Sequence, residues 1–179
     1  MSLRDEPIRR LPLSAIKPET RRLQPTDGDL YREIRLEALP QNPEAFSSTF
    51  DYEAMQGLTW FANHLASSAV FGAFLDGKLV GIASFYAETD PKETHKGTLA
   101  GMYVRPAARR GGIGRRLVEV ILEYARGSVE LVRLAVVTNN RTALQLYRRL
   151  GFTEYGFEER CLKDGDRYFD CVLMTKRLD

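Results

Sequence analysis

The feature that most constrains the fold is a pair of strand-like runs in the middle of the chain, VFGAFLDGKLVGIASFYAE, from Val70 to Glu88. Asp76 and Gly77 separate the two runs, and an Asp-Gly pair tolerates the positive φ angles that a two-residue hairpin turn needs. The segment TLAGMYV, from Thr98 to Val104, has the composition of a third strand. The middle of the chain is therefore predicted to form antiparallel β-structure.

Beyond Val104 the pattern changes to alternating helices and strands. A helix is predicted from about Gly112 to Arg126, because apolar residues recur there along one side. The strand LVRLAVV, a helix from about Asn140 to Leu150 and a closing hairpin from Phe152 to Lys176 follow. This half of the chain places helices against the sheet that the first half begins.

Two helical regions are predicted before the strands, from Thr26 to Pro40 and from about Tyr52 to Leu65, the second interrupted near Gly57. The prolines within residues 1–18 predict a loosely ordered lead-in, so the folded domain is expected over residues 19–179. A length of 179 residues suits one domain. The predicted class is α+β, a single domain with a mixed, mostly antiparallel sheet and helices on both faces.

The overall charge does not indicate a protein that binds polyanions over its whole surface. Lysine and arginine number 26 and aspartate and glutamate 24, so any strong positive field must be local. No apolar stretch approaches a membrane span, and the first ten residues lack the apolar core of a signal peptide. A cytoplasmic location without membrane attachment is expected.

The cysteines, Cys161 and Cys171, are too few for a metal cluster or a disulfide framework. If LKDGDR is a tight hairpin turn, Cys161 lies opposite about Tyr168 and Cys171 opposite about Glu158, so the sulfurs are not directly paired. Reduced thiols are therefore expected.

The stretch VRPAARRGGIGRRLVEV, from Val104, predicts an anion site. A strand ends there, a glycine-rich turn follows, and a helix begins, so unpaired backbone N–H groups and the positive end of the helix dipole face outward together. Glycine lets a phosphate approach closer than a Cβ allows. Five arginines strengthen the expected field: Arg105, Arg109, Arg110, Arg115 and Arg116.

The spacing excludes two common phosphate sites. A nucleoside triphosphate loop needs a lysine after its glycines, and none follows here. A dinucleotide site needs a third glycine, which the segment from Gly112 to Gly114 does not supply. The plain alternative is a solvated basic helix start with an ordinary loop.

A second motif narrows the choice. RRGGIG, from Arg109, fits R-x-x-G-x-G, and NRTALQLYRRLGF, from Asn140, fits N-x-x-A-x-x-L-Y-x-x-x-G-F. The pair resembles the GNAT superfamily of acetyl-CoA-dependent N-acetyltransferases. The resemblance extends from about Thr20 and is most specific between Thr98 and Phe152.

The resemblance implies transfer of an acetyl group from acetyl-CoA, a cosubstrate used without a metal, to a primary amine by direct attack in a ternary complex. It implies that Met102 and Val104 bond the pantetheine arm, that a β-bulge there aims an N–H at the thioester oxygen, and that Tyr147 protonates the departing thiolate. The implied coenzyme-binding residues are Met102, Tyr103, Val104, Arg109, Arg110, Gly111, Gly112, Ile113, Gly114, Arg115, Asn140, Ala143 and Tyr147.

The general base and the acceptor stay open. Many members of the family carry a carboxylate on the strand before the glycine loop, and THKGTLAGMYV has none; His95, Glu88 and Glu37 are the candidates. The acceptor is expected to be a small amine or amino acid, or the N-terminus or a lysine of a protein. The groove for it is expected to hold these aromatic residues: Phe46, Phe50, Trp60, Phe61 and Tyr168.

Two other functions and the oligomeric state also stay open. A non-catalytic coenzyme A binder or sensor is favoured by the missing strand carboxylate and opposed by the presence of Tyr147. A nucleic-acid or phosphate-binding module is disfavoured by the near-neutral charge and by the absence of aromatic residues within the arginine cluster. Self-association as a homodimer is also left open.

Overall fold

The computed structural model describes residues 18–178. The lead-in predicted for residues 1–18 lies almost entirely outside them. The strands are β1 (Glu19–Arg22), β2 (Ala69–Leu75), β3 (Lys78–Ala87), β4 (Lys96–Val104), β5 (Leu131–Val137), β6 (Thr153–Asp164) and β7 (Arg167–Arg177). The helices are α1 (Gly28–Gln41), α2 (Phe50–Ala54), α3 (Leu58–Ser67), α4 (Ile113–Ala125) and α5 (Arg141–Arg149).

Each predicted element is present, with small shifts at its ends. The second predicted helical region is two helices, α2 and α3, because the chain is extended at Gly57. Pro40 lies inside α1 rather than ending it. None of the helices within residues 18–178 has the length and apolar character to cross a membrane.

Within the described residues, seven strands form one sheet in the order β1-β2-β3-β4-β5-β7-β6. Every neighbouring pair is antiparallel except β4 and β5. The parallel pairing is short, from Lys96 to Thr98 on β4 and from Leu131 to Arg133 on β5. The predicted α+β class and mostly antiparallel sheet are confirmed.

Helices cover both faces of the sheet. On one face α1 and α3 bury Ile34 and Phe61 against Val70 and Ile82. On the other face α4 contributes six buried residues, because its apolar side chains recur at helical spacing. Each of the leucine, isoleucine and valine side chains among them contributes about 1.5–3 kcal/mol to stability when fully buried. These two clusters pack against β2, β3 and β4, where the site is built.

The expectation of two reduced, unpaired cysteines is wrong, because Cys161 and Cys171 form a disulfide. The predicted pairing of Cys171 with Glu158 is present. The register then shifts between Glu158 and Leu162, and Arg160 in this bulge has a φ of 53°. The bulge brings Cys161 to a Cα separation of 5.8 Å from Cys171. A regular ladder, which the sequence analysis assumed, keeps the two sulfurs apart.

We expect reduction of this disulfide to lower the free energy of unfolding by about 3 kcal/mol, because the bond closes a loop of about ten residues in the unfolded chain. The bonded residues are 10 apart in sequence. Denaturant unfolding of the native chain and of C161S/C171S, followed by circular dichroism with and without a reducing agent, measures this difference. Equal midpoints for the oxidised and reduced chain contradict the expectation.

Candidate active site

A cavity of about 450 Å³ lies between β4 and β5. The two strands pair only as far as Thr98 and Arg133, and beyond this point β4 continues along β3 while β5 continues along β7. Residues 98–102 of β4 and 135–137 of β5 form the two walls of the gap. The separation of the two parallel strands thus opens a cavity within the sheet. The volume of this cavity is typical of small-molecule sites.

A β-bulge interrupts β4 at the cavity, as predicted. Ile82 pairs with Tyr103 and Ser84 with Ala100, so that Gly101 and Met102 both lie opposite Ala83. Gly101 has a φ of 60°, a conformation that favours glycine. The bulge turns backbone groups of β4 out of the regular ladder and towards the cavity.

The glycine loop leads directly into α4. Gly112 is the residue before the helix, and its φ of 79° lies in the left-handed region. A Cβ built on Gly112 meets no atom within 4 Å, so the space beside it is open. Since the first N–H groups of a helix have no partner within the helix, α4 presents donors and the positive end of its dipole here.

The arginines around the loop differ in their surroundings. Arg105 is held by Glu33 and Glu37, with N···O distances of 2.5 and 2.8 Å. Arg115 pairs with Glu119 at 2.7 Å, and Arg116 pairs with Glu123 at 3.2 Å. Arg109 donates to the carbonyl of Val104 at 2.8 Å. The positive field of the loop is therefore weaker than five free arginines would make it, and Arg110, at a φ of 67°, is an exposed contributor.

Helix α5 brings the second motif to the same cavity. Asn140 caps the helix by accepting a hydrogen bond from the N–H of Ala143 at 3.1 Å. Tyr147, one turn further, is buried, and its hydroxyl lies 3.7 Å from Sδ of Met102. Burial raises the pKa of Tyr147, so the phenol stays protonated near neutral pH. The bulge of β4 and the motif tyrosine therefore meet, although 45 residues separate Met102 from Tyr147 in the chain.

The three residues considered as a base lie outside the cavity wall. Glu88 accepts hydrogen bonds from Thr98 at 3.1 Å and from Arg133 at 2.6 Å. The backbone carbonyl of His95 accepts from the N–H of Glu130 in the turn before β4. Thr98 lines the cavity and bonds Glu88, so Glu88 lies one residue behind the cavity wall.

Glu37 belongs to a different cluster. Its carboxylate accepts from the hydroxyl of Tyr103 at 2.9 Å and pairs with Arg105. Burial, followed by the contact with Glu37, raises the pKa of Tyr103 to about 12. Tyr103 and Glu37 therefore fix α1 to β4 instead of facing the cavity.

The aromatic residues expected in the acceptor groove divide into two sets. Phe46 and Trp60 line the cavity. Phe61 is fully buried in the core, and Phe50 and Tyr168 are exposed outside the cavity wall. Helical spacing alone did not distinguish core residues from groove residues.

His64 is a cavity residue that the sequence analysis missed. Its ring stacks between Tyr31 and Trp60, at centroid distances of 5.5 and 5.9 Å, and Nε2 lies 3.4 Å from the hydroxyl of Tyr86. Burial, followed by the charge of Arg35, lowers the pKa of His64 below its ordinary value. The imidazole is therefore neutral near pH 7 and able to accept a proton.

A buried ion pair, also missed, borders the cavity. Arg35 donates from Nε to Glu53 at 3.0 Å, and its Nη2 bonds the other carboxylate oxygen. Both side chains line the cavity. Arg35 lies four residues after Tyr31 on the buried side of α1, so a charge on an otherwise apolar helical face was the available signal.

Among residues 18–178, no group of three or more His, Cys, Asp or Glu side chains is arranged to hold a metal ion. The polar side chains of the cavity instead carry hydroxyls, carboxylates, an imidazole, a guanidinium, a carboxamide and an indole N–H. These groups suit hydrogen bonding and proton transfer.

Comparison with known proteins agrees with this geometry. The model of the Acetyltransferase (GNAT) family matches residues 31–152. The N-alpha-acetyltransferase RimI of Mycobacterium tuberculosis is 44% identical over 91 residues, which are 50% of this chain and 54% of RimI, so the chain spans about half of that relative. The L-methionine sulfoximine/L-methionine sulfone acetyltransferase of Pseudomonas paraeruginosa is 31% identical over 132 residues, 73% of this chain and 71% of that protein.

Solved structures share the fold. An acetyltransferase of the GNAT family from Streptococcus pneumoniae superposes with a TM-score of 0.80 and 24% identity, over 91% of this chain and 100% of the other. At this level of identity the likeness concerns the arrangement of helices and strands.

Proposed function

Because the chain belongs to the acetyltransferase (GNAT) family, we propose that it transfers an acetyl group from acetyl-CoA to a primary amine. The observation that carries the proposal is the meeting of the β4 bulge with Tyr147 in one cavity, whose wall continues to Asn140 and Ala143. The two relatives are named for different reactions, one at an α-nitrogen and one on L-methionine sulfoximine. The acceptor is therefore proposed only as an amine at this stage.

The described residues fit acetyl-CoA. The open space at Gly112 admits a phosphate that a Cβ would block, and the amides of residues 110–115 are proposed to bind the pyrophosphate. The pantetheine arm is proposed to lie in the gap between β4 and β5, against Met102, Asn140 and Ala143. Acetyl-CoA supplies the activated acyl group.

The proposed reaction is direct attack within a ternary complex. The amine forms a bond to the carbonyl carbon, and the bond from that carbon to sulfur breaks. A backbone N–H at the β4 bulge stabilises the negative charge that develops on the carbonyl oxygen. Tyr147, whose phenol is protonated near neutral pH, is proposed to give its proton to the departing thiolate.

The acceptor amine must lose a proton before or during attack. Glu88 and His95 do not line the cavity, so each is proposed to take this proton through a water molecule. His64 lines the cavity and is proposed as a third candidate base. Replacing each by glutamine and measuring kcat/KM against pH assigns the role. The responsible residue is the one whose loss removes the fall in rate at acid pH.

Titration calorimetry with acetyl-CoA and with coenzyme A, followed by a panel of amines with thiol release as the readout, tests the proposal. We expect micromolar binding of acetyl-CoA, weakened only modestly by salt, and amine-dependent release of coenzyme A. No binding at millimolar acetyl-CoA would remove the proposal. Binding without transfer to any amine would favour the coenzyme A sensor.

A further inference from the structure

Hydrogen-bond donors converge beside the β4 bulge. Arg35 bonds Glu53 through Nε and Nη2, which leaves Nη1. The position of a Cβ on Gly101 lies 3.9 Å from this Nη1 and 3.4 Å from Oγ of Ser84. Because Gly101 has no Cβ, that space belongs to the cavity.

The two donors belong to buried residues of the cavity wall. Ser84 is 2% exposed and Arg35 8% exposed. The pair with Glu53 uses Nε and Nη2 of Arg35, and the Ser84 hydroxyl is hydrogen-bonded with the phenol of Tyr31. Nη1 of Arg35 and the Ser84 hydroxyl both belong to residues that line the cavity, so they can also bond the oxygen atoms of a ligand that enters it.

The chemistry of the group favours an anionic oxygen ligand. Both carboxylate oxygens of Glu53 already accept from Arg35, so Glu53 offers little to a cationic ligand. The remaining guanidinium N–H groups and the hydroxyls donate together, which matches the several lone pairs of a carboxylate.

The distance from the two donors to the β4 bulge sets the spacing between the carboxylate and the amine of the ligand. A carboxylate bound by Arg35 and Ser84 touches the bulge itself, since both donors lie within 4 Å of the vacant Cβ position at Gly101. The thioester is proposed to lie at this bulge. An amine on the carbon next to the carboxylate therefore reaches the thioester, whereas a longer spacer carries the amine past it.

The surroundings oppose a peptide in this position. Tyr31 and Glu53, which contact the two donors, are 3% and 2% exposed. A residue following the carbonyl of a peptide would have to displace this buried layer. Glu44 and Glu158 also line the cavity, and their negative charge favours an ammonium group.

We infer that the acceptor in the proposed acetyl transfer is a free α-amino acid, whose carboxylate is bound by Arg35 and Ser84 beside the β4 bulge. The inference rests on the proposed function and adds the class of acceptor. Trp60 and Phe46 form an apolar wall that suits an amino acid side chain.

Steady-state kinetics of the full chain at saturating acetyl-CoA test the inference. The acceptors are the twenty common L-amino acids, each with its C-terminal amide and, where stable, the amine that lacks the carboxylate. For the best amino acid we expect kcat/KM to exceed that of its amide by at least about 100-fold, because the amide leaves charged donors poorly paired. Amides or short peptides that react as well as the free amino acids would overturn the inference while leaving the acetyltransferase proposal intact.

The variant Ser84→Ala provides a second test that does not disturb the buried Arg35–Glu53 pair. We expect KM for the amino acid to rise by about tenfold, with KM for acetyl-CoA unchanged. Ser128→Ala, whose hydroxyl bonds the carbonyl of Ala125 after α4, is the matched control and should change none of these values. An unchanged KM in Ser84→Ala would overturn the carboxylate site. Acetylation of no compound in the panel would overturn both this inference and the proposed transfer.

Discussion

Replacing Tyr147 by phenylalanine is expected to lower kcat by roughly 10- to 1000-fold, because the thiolate then departs without a proton donor. Coenzyme binding should stay near normal, since the ring is retained. Phenylalanine keeps the edge-to-face contact with Phe152 at 5.7 Å and loses only the hydroxyl beside Met102. Steady-state and single-turnover kinetics, with calorimetry for acetyl-CoA affinity, separate these effects.

Tyr124→Phe is the matched control for this experiment. Tyr124 lies half-exposed on α4, where its hydroxyl accepts from Arg22 at 3.4 Å, and it is not part of the cavity between β4 and β5. The same chemical change there should leave kcat unaltered. Full kcat in Tyr147→Phe would remove the proposed role of the phenol as acid, whatever the control shows.

Replacing Gly112 by valine is expected to weaken acetyl-CoA binding by at least about a thousandfold, because a side chain then occupies the space proposed for the pyrophosphate and several charge-assisted hydrogen bonds are lost. The fold should survive. A Cβ at Gly112 meets no protein atom within 4 Å, so the direct cost is the strain of a left-handed conformation at a φ of 79°. Calorimetry with acetyl-CoA and thermal unfolding measure the two quantities.

Gly127→Val isolates that strain. Gly127 has a φ of 82° and likewise has open space around its Cβ position, but it lies beyond the C-terminal end of α4. Both variants should lose similar stability, and only Gly112→Val should lose affinity for acetyl-CoA. Equal affinity in the two variants would mean that the phosphate site lies elsewhere.

Local patterns account for most of what could be predicted from the sequence. The hairpin at Asp76-Gly77 and the helices α4 and α5 each depend on residues that are neighbours in the chain, whereas the bulge in β4 was implied by the resemblance to the family. The convergence of β4 and α5 on one cavity follows from the order of elements that the two motifs imply.

Tertiary packing decides the features that could not be predicted. Arg35 and Glu53 are 18 residues apart and pair only because α2 packs on α1. The bulge that joins Cys161 to Cys171 adds residues to one strand of a hairpin whose turn chemistry looks regular. His64 lies next to fully buried residues of α3, and its position on the cavity wall depends on Tyr31 and Tyr86 from other elements.

β4 and β5 separate after a short pairing, and the residues proposed to bind the donor and the acceptor lie in different segments of the chain. The groups proposed to hold the acyl donor lie within one continuous segment, residues 102–147, whereas the groups proposed to select the acceptor come from α1, α2, α3 and β3 before it and from β6 after it. Substitutions in the flanking segments can therefore change which amine is acetylated without altering the donor site. Sequence similarity that is confined to the central segment therefore gives information about the donor site alone. The acceptor has to be assigned from the residues at the two ends of the domain.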